Sequence, residues 1–190
     1  MTSGIRVHRG TGLLAHTEAL RSVYVEAFCA PPWNEDEERA TEFAARLRED
    51  VDRPGFAAAI AVRDGEVVGF ATSWTTPASF PTDRCHPQAA AGLGAERTAD
   101  WLCGAREIDE LAVRRADRGS GLAGELLDAV TEDAPGGRAW LLTSVRGGRA
   151  LAFYRRRGWT QVTHPSPDGR GIVVLLGPRH PARFSAPLPL

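Results

Sequence analysis

Apolar residues in the first third of the chain fall into two rhythms. Across "LLAHTEALRSVYVEAF" (13–28) they recur at helical spacing, and "APPW" (30–33) breaks the pattern. A short strand is predicted before it, at 5–9. Asn34 reads as the cap of a second helix whose first turn, Glu35 to Glu38, is acidic and so favours the positive helix end. The rhythm then changes. "FAAAIAV" and "VVGFATSW" are near-continuous apolar runs on either side of Asp64-Gly65, which predicts a hairpin. Residues 75–104 read as a loop followed by a helix around 86–100. "EIDELAV" (107–113) predicts a strand, and 120–133 a helix with Leu122, Leu126, Leu127 and Val130 on one face. "RAWLLTS" (138–144) predicts a strand and "GRALAFYRRR" (148–157) a short helix; "WTQV" and "GIVVLL" are closing strands around a Pro/Gly turn. "GPRHPARFSAPLPL" is too proline-rich for a helix or central strand and reads as an extended tail. Strands alternating with helices after a hairpin predict a mixed α/β sheet.

Composition narrows the function classes. A chain of 190 residues is most simply one domain, here 1–177, followed by a Pro-rich tail at 178–190. The 23 basic and 24 acidic side chains leave a net charge of −1, which gives no general push toward nucleic acid or a membrane surface. Every basic residue is arginine, since the chain contains no lysine, so an arginine cluster carries less information than usual. Cys29, Cys85 and Cys103 are odd in number and widely spaced, which argues against a disulfide framework or a zinc site, and no metal is expected. The start lacks an apolar signal region and no apolar run reaches bilayer-spanning length, so a cytoplasmic protein is expected.

The segment "LAVRRADRGSGLAGELL" (111–127) contains Gly119, Gly121 and Gly124, literally G-x-G-x-x-G. A dinucleotide site wants its glycines close to the strand end and an acidic residue about 20 positions on. Here five residues separate Val113 from Gly119, and the next strand leaves through "TSVRGGR", which offers no carboxylate. A P-loop requires a lysine that the chain lacks. What survives is the physical core of the motif. Gly119 and Gly121 remove side chains where backbone passes close to a ligand, and amides from Ser120 onward are the orphan donors of a helix start, suited to a pyrophosphate. Arg118 adds a fixed positive charge. A plain glycine-rich helix entry beside a surface arginine explains this turn equally well on its own.

The wider stretch "EIDELAVRRADRGSGLAGELLDAV" resembles the coenzyme-A-binding motif of the GNAT acetyltransferase superfamily, with Arg118, Gly121 and Ala123 at its defining positions. "GRALAFYRRRGW" resembles the second signature of that family, through Ala150, Phe153, Tyr154, Gly158 and Trp159. The two motifs cover 107–159 and are separated by one strand, as the family requires. The resemblance implies a mixed, mostly antiparallel central sheet of six to seven strands flanked by helices, an α/β (α+β) architecture. It also implies acetyl-CoA as cosubstrate, bound by Leu111, Ala112, Val113, Arg118, Gly119, Ser120, Gly121, Leu122, Ala123 and Tyr154. Many members carry Asn seven positions before the tyrosine; here that residue is Gly147, and Ser144 is the candidate to make its contact instead.

Amine acetylation from a thioester needs a neutral amine, a stabilised oxyanion and a protonated leaving thiol. The resemblance implies that amides at the end of strand 107–113 hold the thioester carbonyl, and such preset donors are usually the largest catalytic term. A leaving thiolate has a conjugate-acid pKa of roughly 8.5 against roughly 10 for tyrosine, so Tyr154 at the motif position is the candidate acid. The alternative is that it only packs its helix on the sheet, but it is one of just two tyrosines and falls at the motif position, which favours the acid role. The candidate bases are Glu107, Asp109 and Glu110. In a regular strand Glu107 and Asp109 share a face and Glu110 takes the other, unless a bulge breaks the parity. Burying charge is expensive, so at least one of the three is expected to face a wet cleft.

These readings favour an N-acetyltransferase acting directly on a primary amine of a small molecule. A non-catalytic coenzyme-A-binding sensor, a protein or peptide N-acetyltransferase and, more distantly, a nicotinamide oxidoreductase stay open, as does a homodimer. Neither nucleic acid nor membrane is expected as a partner. Trp33 and Trp74 are candidates to line the acceptor pocket, although buried tryptophans are more often core.

Overall fold

The computed structural model describes residues 4–185. In chain order it contains β1 (Gly4–His8), α1 (Thr17–Phe28), α2 (Glu37–Asp50), β2 (Ala57–Arg63), β3 (Glu66–Thr75), α3 (His86–Leu93) and α4 (Ala95–Arg97). Then come β4 (Arg106–Val113), α5 (Leu122–Thr131), β5 (Ala139–Ser144), α6 (Gly148–Arg156), β6 (Thr160–Gln161) and β7 (Ile172–Leu176). The seven strands form one mixed sheet in the order β1-β2-β3-β4-β5-β7-β6. β1–β2, β2–β3, β5–β7 and β6–β7 pair antiparallel, while β4 and β5 run parallel. Parallel neighbours need a long crossover, and the stretch carrying α5 supplies it. The chain divides into two compact units: residues up to Trp74 with Asp109–Glu132, and Thr75–Ile108 with Asp133 onward.

In the first unit the predicted hairpin is present. Arg63 pairs with Glu66 across Asp64 (φ 52°) and Gly65 (φ 84°), and two left-handed residues make the turn whose twist matches paired strands. Leu13, Leu20 and Val23 are buried with Phe43 and Leu47 of α2 and with Ile60, Phe70 and Trp74 of the hairpin. Phe43 stacks on Tyr24 (4.9 Å) and on Phe70 (5.3 Å). The predicted face of α5 is inside: Leu122, Leu126, Leu127 and Val130 are all buried. A side chain at Gly69 would meet the Ala112 carbonyl at 3.0 Å, so glycine lets β3 lie tight against β4 here.

The start of α2 differs from expectation. Asn34 is no cap; it lies in a turn at φ 48° that bonds back to Ala30 (3.2 Å), and Asp36 holds the cap position. Only Glu37 and Glu38 lie in the first turn, because the Glu35 amide folds back onto the Phe28 carbonyl (3.0 Å).

In the second unit, Trp140, Val174 and Leu176 of the sheet are buried with Ala89 and Leu93 of α3 and with Leu102. The helix expected around 86–100 is broken at Gly94 (φ 79°), beyond which α4 gives way to a π-helical turn at Thr98–Leu102. The expected extended tail is also corrected. His180 is buried, accepts from the Ala182 amide through Nδ1 (3.1 Å) and meets the Trp101 carbonyl through Nε2 (3.0 Å), which starts a 3-10 turn at Pro181–Phe184. The end of the tail, 186–190, lies outside the described residues. The three cysteines are free thiols. Among the described residues no helix is long and apolar enough to cross a membrane.

Candidate active site

The glycine turn belongs to the first unit. Gly119 (φ 81°) and Gly121 (φ 92°) both adopt left-handed backbone, and a Cβ built on either meets no heavy atom within 4 Å. The glycines are therefore required by backbone conformation, and the space above them is open. The first bonds of α5 run from Gly124 and Glu125 to the Gly121 carbonyl (2.9 and 3.3 Å), so the amides of Gly119 to Ala123 precede the helical ladder. Neighbouring polar groups fix the loop. Ser120 Oγ donates to the Asp117 carbonyl (2.7 Å), Arg118 Nε donates to the Val113 carbonyl (3.3 Å), and the Asp117 carboxylate is bonded by Arg63. An open left-handed turn feeding a helix N-terminus offers unpaired donors and room for an anionic group.

The three β4 carboxylates are largely enclosed: Glu107 is buried, and Asp109 and Glu110 are partly so. The side chains of Glu107, Asp109 and Glu110 are 5, 3 and 12 % exposed, and each faces a cation or a potential one. In the first unit, Arg46 Nη2 donates to both Asp109 (3.2 Å) and Glu110 (3.5 Å), and its Nε donates to Asp50 (3.1 Å). Consecutive residues of a regular strand point to opposite faces, yet Asp109 and Glu110 converge on one nitrogen. The strand parity is broken there, and the Glu110 amide donates to the Thr72 hydroxyl (3.2 Å). Trp74 is core, not pocket: it is buried, with the Arg53 guanidinium 4.4 Å from its ring.

Glu107 belongs to the second unit. Its Oε1 meets His86 Nε2 (2.8 Å), and its Oε2 accepts from Thr76 Oγ1 (3.3 Å), which accepts in turn from the Trp140 indole (2.8 Å). On α6, Tyr154 is buried, with its ring 5.9 Å from Trp159 and 5.2 Å from Phe153. Ser144 does not replace the absent asparagine as a donor. Its single O–H is given to the Arg170 carbonyl (2.6 Å), and the same oxygen accepts from the Arg146 amide (3.2 Å), so it ties down its own loop.

A scan against protein families matches residues 17–159 to the model described as "Acetyltransferase (GNAT) family". The chain belongs to the GNAT acetyltransferase family. Like other GNAT enzymes it is an acyltransferase, and the family uses acetyl-CoA. Solved structures carry the same fold. A GNAT-family protein of Desulfovibrio desulfuricans aligns with TM-score 0.63 at 19% identity, covering 91% of this chain and 98% of that one. A structure described as histone acetyltransferase HPA2 and related acetyltransferase, from Corynebacterium glutamicum, gives 0.61 at 20%, covering 94% and 97%. PaiA N-acetyltransferase of Thermoplasma acidophilum, solved with coenzyme A, gives 0.59 at 13%, covering 92% and 98%. A search among curated proteins finds no match.

Within this GNAT chain, two site-associated residues escaped sequence reasoning. Arg46 had a usable signal: Asp50 falls on the apolar stripe of α2 with Ala40, Phe43 and Leu47, and a carboxylate there requires a cation one turn away. His86 had only its adjacency to Cys85. Burial alone pushes His86 down, but the Glu107 hydrogen bond and charge, together with Asp83, override it and hold the imidazole above its ordinary value. The stability it adds is present below about pH 6.5 and is lost as pH rises through the raised folded value. His86→Gln is therefore expected to cost about 3–5 kcal/mol near pH 6, with a smaller deficit in alkali. Denaturant titrations at a series of pH values check this, and a deficit independent of pH would mean that the ring is buried neutral.

Proposed function

We propose that this GNAT enzyme transfers the acetyl group of acetyl-CoA directly to a primary amine of a small molecule. The observation that carries the cosubstrate half is the open left-handed turn at Gly119 and Gly121, which presents helix-start amides and no side chain. In this reading the diphosphate is held by Arg118 and the amides of Gly119 to Ala123. The strand-end backbone at Leu111, Ala112 and Val113 receives the thioester carbonyl. Glu110, the most exposed of the three β4 carboxylates, takes the proton of the amine, with Asp109 beside it. The amine nitrogen forms the new bond to the acetyl carbon, the carbon–sulfur bond breaks, and Tyr154 gives its proton to the departing thiolate.

The acceptor is a primary amine of net positive charge, such as a polyamine, an aminoglycoside-like sugar or an amino acid derivative. Carboxylates of Asp50, Asp109 and Glu110 lie in the first unit against the guanidiniums of Arg46 and Arg53, and Glu35 accepts from the Tyr24 hydroxyl, so the local balance is acidic. Thiol release from acetyl-CoA, followed across matched cationic and anionic amines at low and high salt, tests the reading. Cationic amines are expected to react faster, with an advantage that shrinks in salt. Preference for the anionic series, or reaction only with peptide amino termini, would overturn it.

A further inference from the structure

Arg46 stands in the middle of the first unit's ionisable groups. Its Nη2 is shared by Asp109 and Glu110 of β4, and its Nε is bonded to Asp50, one turn along α2. The other groups facing this set come from every surrounding element. Arg53, beyond the end of α2, donates to the second oxygen of Asp50 (2.7 Å), and Tyr24 of α1 donates its hydroxyl to Glu35 (2.7 Å). The Phe43 ring lies beneath the Arg46 guanidinium, 5.8 Å from its centre. Asp50 is buried, Asp109 nearly so, and Arg46 remains a quarter exposed.

Carboxylates this close repel one another, and burial makes the repulsion stronger. Burial first, and then the Asp109 charge, push the Asp50 carboxyl up, against the pull of Arg46 and Arg53. Burial and then the negative Glu110 push the Tyr24 phenol up, so this neighbour keeps its proton. Two guanidiniums face this set, and that of Arg46 reaches β4.

We infer that Arg46 is a positioning residue for acyl transfer: its guanidinium holds the Asp109 and Glu110 carboxylates together beside β4 and ties them to α2. The inference rests on the proposed role of these carboxylates as proton acceptors for the amine. A carboxylate that swings away from the amine does not serve that role. Arg46 also supplies geometry that a point charge does not, since its planar fork addresses α2 and β4 through different nitrogens.

Arg46→Gln and Arg46→Lys separate these contributions. In Arg46→Gln, kcat is expected to fall while KM for acetyl-CoA holds, and the acidic limb of kcat/KM moves up because a neighbouring cation is gone. Arg46→Lys returns the limb toward its original position while recovering only part of kcat. A second readout does not use activity. The loss of thermal stability in Arg46→Gln is expected to shrink as pH falls from about 7 to about 5, because protonation relieves the unmatched carboxylates. An unmoved acidic limb, or a stability deficit that is the same at every pH, would overturn the role and leave Arg46 as packing. If the wild-type chain releases no thiol with any amine, the proposed function fails. The pH dependence of the stability deficit then decides the charge role by itself.

Discussion

Gly121→Val is expected to abolish coenzyme A binding in a chain that still folds. Gly121 sits at φ 92° and ψ −15°, a conformation that side-chain-bearing L-residues rarely adopt. Its chain neighbours apart, no described heavy atom lies within 4 Å of an added Cβ. The backbone strain is expected to cost about 1–2 kcal/mol, small beside the roughly 5–15 kcal/mol of an ordinary domain. The branched side chain, however, fills the space over the amides that precede α5. A loss of about 100-fold or more in affinity corresponds to about 2.7 kcal/mol and follows from displacing the diphosphate from those donors. Gly136→Val is the matched control. It carries positive φ (60°) and equally open surroundings but lies outside the turn, so it should show the strain and keep the affinity. Calorimetry with coenzyme A on both variants checks this. Unchanged affinity in Gly121→Val would return the segment to a structural turn.

The second large effect belongs to Tyr154. Tyr154→Phe is expected to lower kcat by about 100-fold or more, within the range for one general acid, with little change in acetyl-CoA binding. That split identifies an interaction made mainly in the transition state. The phenyl ring keeps the contacts with Phe153 and Trp159, so α6 stays packed and the loss is confined to the hydroxyl. Stopped-flow thiol release and equilibrium binding measure the two quantities separately. A variant with full turnover would show that the thiolate leaves without help and that Tyr154 is only a packing residue.

The fold was legible wherever local chemistry and tertiary structure agree. Asp64-Gly65 forced one turn type, and the apolar stripe of α5 had one side to bury. Legibility failed where a distant group decided. Asn34 is a good cap in isolation, but the return of Glu35 to the Phe28 carbonyl moved the helix start beyond it. Gly94 broke a helix that composition alone favoured. At β4 the cost of burying charge is legible in the sequence, but the cations that meet it are not: the protein supplies Arg46 from more than 60 residues earlier and His86 from 21 residues earlier. Ser144 was a reasonable donor until the chain returned at Arg170 to claim its proton.

The ends of the strand order carry a different consequence. A net charge of −1 gives copies of this chain almost no mutual repulsion, so colloidal spacing does not guard its open ladder groups. The guarding is done by geometry. β6, at one end of the order, is only two residues long and offers an incoming strand almost nothing to zip onto. β1, at the other, exposes Arg6 beside its one exposed aliphatic residue, Val7, and a partner strand laid there would have to accommodate that charge. Lengthening β6 by apolar substitution would therefore turn a blunt edge into a template for fibre-like stacking.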